Sequence, residues 1–274
     1  MKIHLFLSAI IYALFLSCDS GTNPDDTGNP DTDTTKISHG ITGTLTFTGE
    51  WPANAAEVRV VTSTVFPPEM DDIIYGNEIP VDTSKYDFEF ELAPGTYRFV
   101  GLAWRNEGAD WNFPGICSYY VSEDDSLSPV SITIADDTMV VKDVDMTVNC
   151  SRARIVSAAK ITGSVTFNDN WPGEFTEARV IATTRFNIET FDRPTLIDLV
   201  FSKSIARGTT ACDYEIPAFP GNYLATFVVF FTEDGTISME DVFYTSYHGG
   251  LDITTTYMVE LNATAAGPDF AIEF

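Results

Sequence analysis

The phrase ITGTLTFTGEWP begins at Ile41, and ITGSVTFNDNWP begins at Ile161. Residues 41–66 align with residues 161–186 without a gap, at an offset of 120. Ile41, Thr42, Gly43, Thr46, Phe47, Trp51, Pro52, Glu57, Arg59, Val60, Thr64 and Phe66 all recur. A second phrase, YDFEFELAPGTY from Tyr86, returns as CDYEIPAFPGNY from Cys212, at an offset of 126. The second copy therefore carries six more residues between the two phrases. Both copies also close alike, with DVDMTV near residue 145 and PDFAIEF at the C-terminus. The chain must fold as two versions of one module, each of roughly 110–120 residues. Two copies are too few for a solenoid, and each copy is long enough to bury its own core.

Each module reads as strands. In ITGTLTF, Ile41, Gly43, Leu45 and Phe47 alternate with threonines, and in YDFEFEL, Tyr86, Phe88, Phe90 and Leu92 alternate with acids. Val140, Val144, Met146 and Val148 continue the pattern at the end of the first copy. A period of two places one side on a core and the other in water. No helical period persists beyond two turns. The expected fold is all-β, two tandem antiparallel β-sandwiches of immunoglobulin-like or transthyretin-like form. Gly43 and Gly163 interrupt a strand pattern, which marks a bulge or a close backbone approach. Trp51 and Trp171 occur in both copies and so read as caps on the open end of each sandwich; ligand stacking is the lesser alternative. Ser151 to Lys160 joins the copies, and Ile155 and Val156 within it favour restricted freedom between modules.

These pieces resemble a known family. A strand I-x-G-x-V-x-F, a strand A-x-V-x-V, then F-x-L-x-P-G-x-Y and a closing V-D-F-x-L are similar to the carboxypeptidase regulatory-like, or transthyretin-like, β-sandwich. The matching segments are ITGTLTF, EVRVV, FEFELAPGTYRF and VDMTV, and then ITGSVTF, EARVI, YEIPAFPGNYLA and PDFAIEF. The resemblance covers most of residues 37–274 and implies seven or so strands in two sheets, usually without catalysis. It carries no catalytic residue over.

The N-terminus supplies an address. Lys2, an apolar run from Ile3 to Leu16 and FLSCDS form a bacterial export signal. The run is shorter than the roughly 20 residues that span a bilayer. Phe15, Leu16, Ser17 and Cys18 resemble the lipobox of bacterial lipoproteins, with Phe15 where leucine is more usual; the resemblance implies lipidation of Cys18. An ordinary secretory signal is the alternative. Asp19 to Thr35 lacks any aliphatic or aromatic residue, so it cannot offset the entropy of ordering and reads as a flexible tether. The expected organisation is a lipoprotein signal peptide over 1–17, a disordered acidic tether over 18–36, and modules over 37–150 and 151–274. This places the chain in the cell envelope, held to a membrane by lipid. The outer membrane or cell surface is favoured over the inner membrane, and the leaflet stays open.

A net charge of −25, from 40 acidic and 15 basic residues, argues against a nucleic-acid partner. Besides Cys18, three cysteines remain. Cys117 and Cys150 fall in one module and form the best disulfide pair; three buried thiols is the equal alternative. No CxxC or Cys/His cluster supports a zinc site.

Chemistry is sparse. His4, His39 and His248 are the three histidines, no GxSxG occurs, and nothing beside His248 resembles a nucleophile elbow. The reading is a non-enzyme without a cofactor. Acidic loops at Glu69 to Asp72, Ser122 to Asp125 and Ala135 to Asp137 offer oxygen ligands for calcium, although ordinary acidic turns explain them as well. One segment differs between copies: WRNEGADWNFPGICSYY, from Trp104 to Tyr120, is matched by a stretch without tryptophan. Trp104, Trp111, Phe113 and Tyr119 are therefore candidate ligand-binding residues, with packing between modules as the competing role. Two functions follow: an envelope-anchored scaffold or interaction protein, or a surface lipoprotein that binds glycans through this loop.

Overall fold

The computed structural model describes residues 37–122, 127–168, 170–186, 194–232, 248–253 and 256–274. The signal, the tether and Cys18 lie outside the described residues, as does most of the acidic loop after Ser122. The chain is all-β, and no α-helix occurs among the described residues.

The first sandwich contains β1 (Gly40–Thr48), β2 (Ala55–Ser63), β3 (Ile74–Glu78), β4 (Lys85–Glu91), β5 (Gly95–Tyr97), β6 (Phe99–Asn106), β7 (Ile116–Tyr119), β8 (Ile132–Ile134), β9 (Val140–Val141) and β10 (Met146–Asn149). One sheet runs β10-β1-β4 with β9 also beside β1, and the other runs β3-β2-β6-β7. The second sandwich contains β11 (Lys160–Phe167), β12 (Glu177–Thr183), β13 (Leu199–Phe201), β14 (Ile205–Ala206), β15 (Ala211–Pro217), β16 (Gly221–Tyr223), β17 (Ala225–Phe231), β18 (Leu251–Asp252), β19 (Tyr257–Val259), β20 (Thr264–Ala266) and β21 (Phe270–Ile272). Its sheets follow the same plan, β15-β11 with β20 and β21 against β13-β12-β17-β18. The short pairs β5–β8 and β16–β19 stand apart in each copy.

The alternation of the repeated phrase is what builds the outer sheets. Ile41, Leu45 and Phe47 of β1 point inward with Phe88 and Phe90 of β4, while Thr46 and Thr48 face water. Each such buried side chain contributes about 1.5–3 kcal/mol. The sheets are antiparallel except at the closing strands: β9 and β10 run parallel to β1, and β20 and β21 parallel to β11.

The repeated glycine explains that closure. A Cβ on Gly43 would stand 2.3 Å from the carbonyl oxygen of Val144, and one on Gly163 would meet the Pro268 carbonyl at 2.7 Å. Only glycine lets the closing strand cross so near. At the crossing the strand peels away from the ladder, and an aspartate takes over its hydrogen bond. Thr44 N–H donates to Asp145 Oδ1 at 2.7 Å, and Ser164 N–H donates to Asp269 Oδ1 at 2.9 Å. The Asp of the closing V-D and P-D phrases is thus a substitute for backbone. The tyrosine of each PGxY also bonds back to the chain, Tyr97 to the Ala93 carbonyl at 2.8 Å and Tyr223 to that of Phe219 at 3.1 Å.

A third core lies between the modules. Val61, Phe99 and Ala103 from the β2-β6 sheet meet Ile181, Phe227, Val229 and Phe231 from the β12-β17 sheet. The central strands of the inner sheets are therefore buried on both faces: six of the eight residues of β6 and all seven of β17 are buried. The joining segment contributes to both sandwiches: Ala153 and Val156 sit in the first core and Ala159 in the second. Of the two apolar residues at its centre, Val156 is buried and Ile155 stays 45% exposed.

Candidate functional site

The Trp104–Tyr120 segment leaves β6, crosses a short turn and returns as β7. Gly108, at φ +75, reverses the chain. Asn112 then fixes the turn over Phe113–Gly115: its Oδ1 accepts from Gly115 N–H at 3.1 Å, and its Nδ2 donates to the Ser157 carbonyl at 3.2 Å. The segment is thereby tied to the chain that joins the modules.

Its aromatic rings face three different places. Trp104 is fully buried in the first core, 6.2 Å from Trp51, and its indole Nε1 has no hydrogen-bond partner. Trp111 is half-buried, leaning on Tyr75 at 5.1 Å with the Arg105 guanidinium 5.6 Å from its ring. Arg105 is itself held by Glu57 at 2.6 Å. That glutamate also pairs with Arg59, and although burial pushes its carboxyl up, the two guanidiniums together hold it below the usual range. Phe113 is buried across the seam, edge-on to Phe201 at 5.1 Å. Tyr119 is buried in the same third core against Phe99 and Phe66, at 5.8 and 6.5 Å. Of the four candidate ligand-binding rings, Trp104, Phe113 and Tyr119 are buried in packing, the competing role, and Trp111 alone is half-buried. Trp104 fills the first core, while Phe113 and Tyr119 pack in the junction that the second copy meets from the other side.

Polar groups lock the seam. Asp198 is 1% exposed and receives Arg152 at 2.7 Å, with Arg154 at 3.6 Å. Thr195 donates its N–H and hydroxyl to the other carboxylate oxygen, at 2.9 and 2.8 Å. Arg154 also stacks over Phe219 at 4.0 Å. Sequence reasoning missed Asp198, Arg152 and Arg154, since their partners are 44 to 46 residues apart.

Cys117 and Cys150 are free, buried thiols rather than a disulfide in this structure, and Cys212 is also free. Burial pushes the Cys117 thiol far above its ordinary range, and Cys150 beside it adds to the shift. Both pack in the first core as small apolar groups. Among the acidic loops, Glu69 to Asp72 closes on itself, with Asp72 Oδ2 accepting from Glu69 N–H at 2.9 Å. Asp136 Oδ1 is taken by the Thr138 N–H and hydroxyl, at 2.9 and 2.7 Å. Among the described residues no group of three or more His, Cys, Asp or Glu side chains converges as metal ligands would. His248 bonds through Nδ1 to the Glu273 carbonyl and packs on Phe274 at 5.5 Å.

No family model and no curated protein matches the chain. Among solved structures it is similar to a leucine-rich repeat protein from Bacteroides thetaiotaomicron VPI-5482, with 11% identity and a TM-score of 0.36 over 85% of this chain. The match spans about a quarter of that protein, 26% of its length. A candidate adhesin from Bacteroides ovatus ATCC 8483 follows, with 12% identity and a TM-score of 0.22 over 94% of this chain and 95% of that one. The fimbrial anchor protein from Porphyromonas gingivalis matches at 12% identity and a TM-score of 0.21, covering 69% of this chain and 77% of that one. At these TM-scores the likeness transfers neither fold detail nor function, and the chain's own residues carry both.

Proposed function

We propose that this chain is a non-catalytic, lipid-anchored envelope protein whose two β-sandwiches work as one rigid block, a scaffold presented to other envelope components. The third core carries this reading. Two modules that only needed to be strung together would expose polar inner sheets. Here the inner sheets meet through one continuous apolar patch, Val61, Phe99 and Ala103 against Ile181, Phe227, Val229 and Phe231, and Asp198 closes the seam with two arginines. A block of this kind transmits position and force without bending at the joint. Lipidation of Cys18 and the acidic tether from Asp19 would hold it away from a membrane.

The test has two parts. Mass spectrometry of the native N-terminus should find acyl groups on Cys18. Calorimetry of the mature chain carrying Cys18→Ser should show one transition, with calorimetric and van't Hoff enthalpies equal. An unmodified Cys18 would remove the anchor from the proposal. Two separated transitions would remove the rigid block.

A further inference from the structure

The two copies differ at the end of the sandwich where the repeated tryptophan sits. In the second copy that end is closed. Trp171 is 6% exposed, tilted against Phe167 at 4.7 Å and edge-on to Phe230 at 5.0 Å. Phe175 and Phe274 cover the same Phe230, at 5.3 and 5.1 Å. The alignment at offset 120 puts Ala55 where Phe175 stands. The strand register does the same for the other ring. Val148 faces Phe47 as Ile272 faces Phe167, so Cys150 occupies the position of Phe274. Two phenylalanines of the second copy are thus an alanine and a cysteine in the first.

Trp104 takes the place of Phe230, and beside it a cavity of about 450 Å³ opens to solvent. Its apolar side is formed by Phe47, Trp51, Ala55, Val81 and Cys150. Trp51 stays half-buried there, and its ring has drawn away from Phe47 to 5.9 Å. Glu50, Asp82, Thr83 and Ser84 form the rim, and no lysine or arginine lines the space. The size falls in the usual range of small-ligand pockets, about 300–1,000 Å³, and the lining is more polar than apolar, as suits a ligand rich in hydroxyls.

We propose that this cavity is a binding site for a neutral sugar ring, with the Trp51 indole as its stacking surface. A pyranose presents an apolar C–H face to an aromatic ring and hydroxyls around its edge. The rim meets those hydroxyls with the carboxylates of Glu50 and Asp82, which accept, and with Ser84, while the Thr83 hydroxyl is committed to Lys85, donating to its carbonyl and accepting from its N–H at 3.3 Å. Anionic ligands are turned away by the two rim carboxylates and by a chain of net charge −25. The site goes beyond the scaffold reading, and a rigid block with an empty cavity would leave that reading intact.

The test uses the mature chain carrying Cys18→Ser, titrated with neutral oligosaccharides of glucose, galactose, mannose and N-acetylglucosamine while tryptophan fluorescence and heat are followed. Tetramethylammonium chloride is the cationic control. At least one oligosaccharide should bind saturably with a Kd below about 1 mM. Trp51→Ala should weaken it at least tenfold. The double substitution Ala55→Phe with Cys150→Phe places the second copy's two rings in the cavity and should abolish binding in a chain that circular dichroism shows still folded; Ala55→Phe alone, which leaves the buried Cys150 in place, should weaken binding at least tenfold. Binding unaffected by the double substitution would overturn the site. So would no saturation with any sugar, and tetramethylammonium binding that depends on Trp51 would overturn the ligand class.

Discussion

The outer and inner sheets of each sandwich are made of similar residues but obey different rules. In β1 and β4 apolar and polar residues alternate, since one face meets a core and the other meets water. In β6 and β17 almost every residue is buried, since a core lies on each side. The difference teaches where the two modules join. An antiparallel strand that loses its alternation has found a second partner. Four sheets and three cores therefore make one stack, in which the inner sheets cannot be exposed without losing the seam.

The largest expected effect comes from charging one sheet of each kind. Phe227 is 2% exposed in the third core. Phe227→Asp places a carboxylate there without a partner, and the cost should exceed about 4 kcal/mol, in the class of unpaired buried charge. Thr46→Asp on the exposed face of β1 should change stability by no more than about 0.5 kcal/mol. Urea unfolding of both variants checks the pair. Equal effects would mean that the seam does not stabilise the block. The next effect is smaller and local to the closure. Gly43→Ala drives a Cβ to within 2.3 Å of a carbonyl and should cost about 2–4 kcal/mol, whereas Gly95→Ala meets nothing within 4 Å and should be neutral or slightly stabilising.

The outer sheets were legible in the sequence because period two is a local signal. The repeat, the PGxY turns and the expected close approach at Gly43 all depend on neighbours a few residues away or on a partner copied twice. The seam was not legible for the opposite reason. Ala225 to Phe231 is apolar without alternation, which identifies burial on two sides but not what provides the second side. The aromatic loop after Trp104 was recognised as different from its counterpart, yet composition could not separate a ring that waits for a ligand from one that packs on the other module. Phe113 needed Phe201, which lies in a different module. The cavity at Trp51 was hidden by the repeat itself: the shared tryptophan drew notice, while Ala55 and Cys150, which stand where the second copy has phenylalanines, look unremarkable alone.

Asp198 sharpens the comparison in the polar part of the seam. Its carboxylate is buried, but Arg152 and Arg154 keep about a third of their side chains in water, 36% and 34%. Asp198→Ala should therefore cost less than a fully buried pair, about 1–3 kcal/mol, because the arginines can turn to solvent. Raising salt should weaken the effect only slightly, since the carboxylate itself is shielded. Denaturation at low and high ionic strength distinguishes this from a surface pair, whose contribution would vanish in salt.

The smallest effect separates the two copies at their shared tyrosine. Tyr97 makes one hydrogen bond, to the Ala93 carbonyl, while Tyr223 both donates to the Phe219 carbonyl and accepts from its N–H at 3.2 Å. Tyr97→Phe should cost about 1 kcal/mol and Tyr223→Phe somewhat more, because the latter orphans two buried groups. Alkaline pH supplies an independent reading. Burial raises both phenols above their ordinary value of about 10, and Arg154 beside Tyr223 offsets only part of that. A raised folded value means stability is complete below pH 10 and declines as pH climbs from there, since only the unfolded chain can release the proton. Melting temperature should therefore stay level from neutral pH to about 8, where the buried thiols of Cys117 and Cys150 begin to contribute, and fall more steeply once the phenols join near pH 10. Tyr223→Phe should shallow that fall more than Tyr97→Phe does; equal slopes would mean that the two corners are equally buried and that the extra bond at Tyr223 leaves its proton no more tightly held.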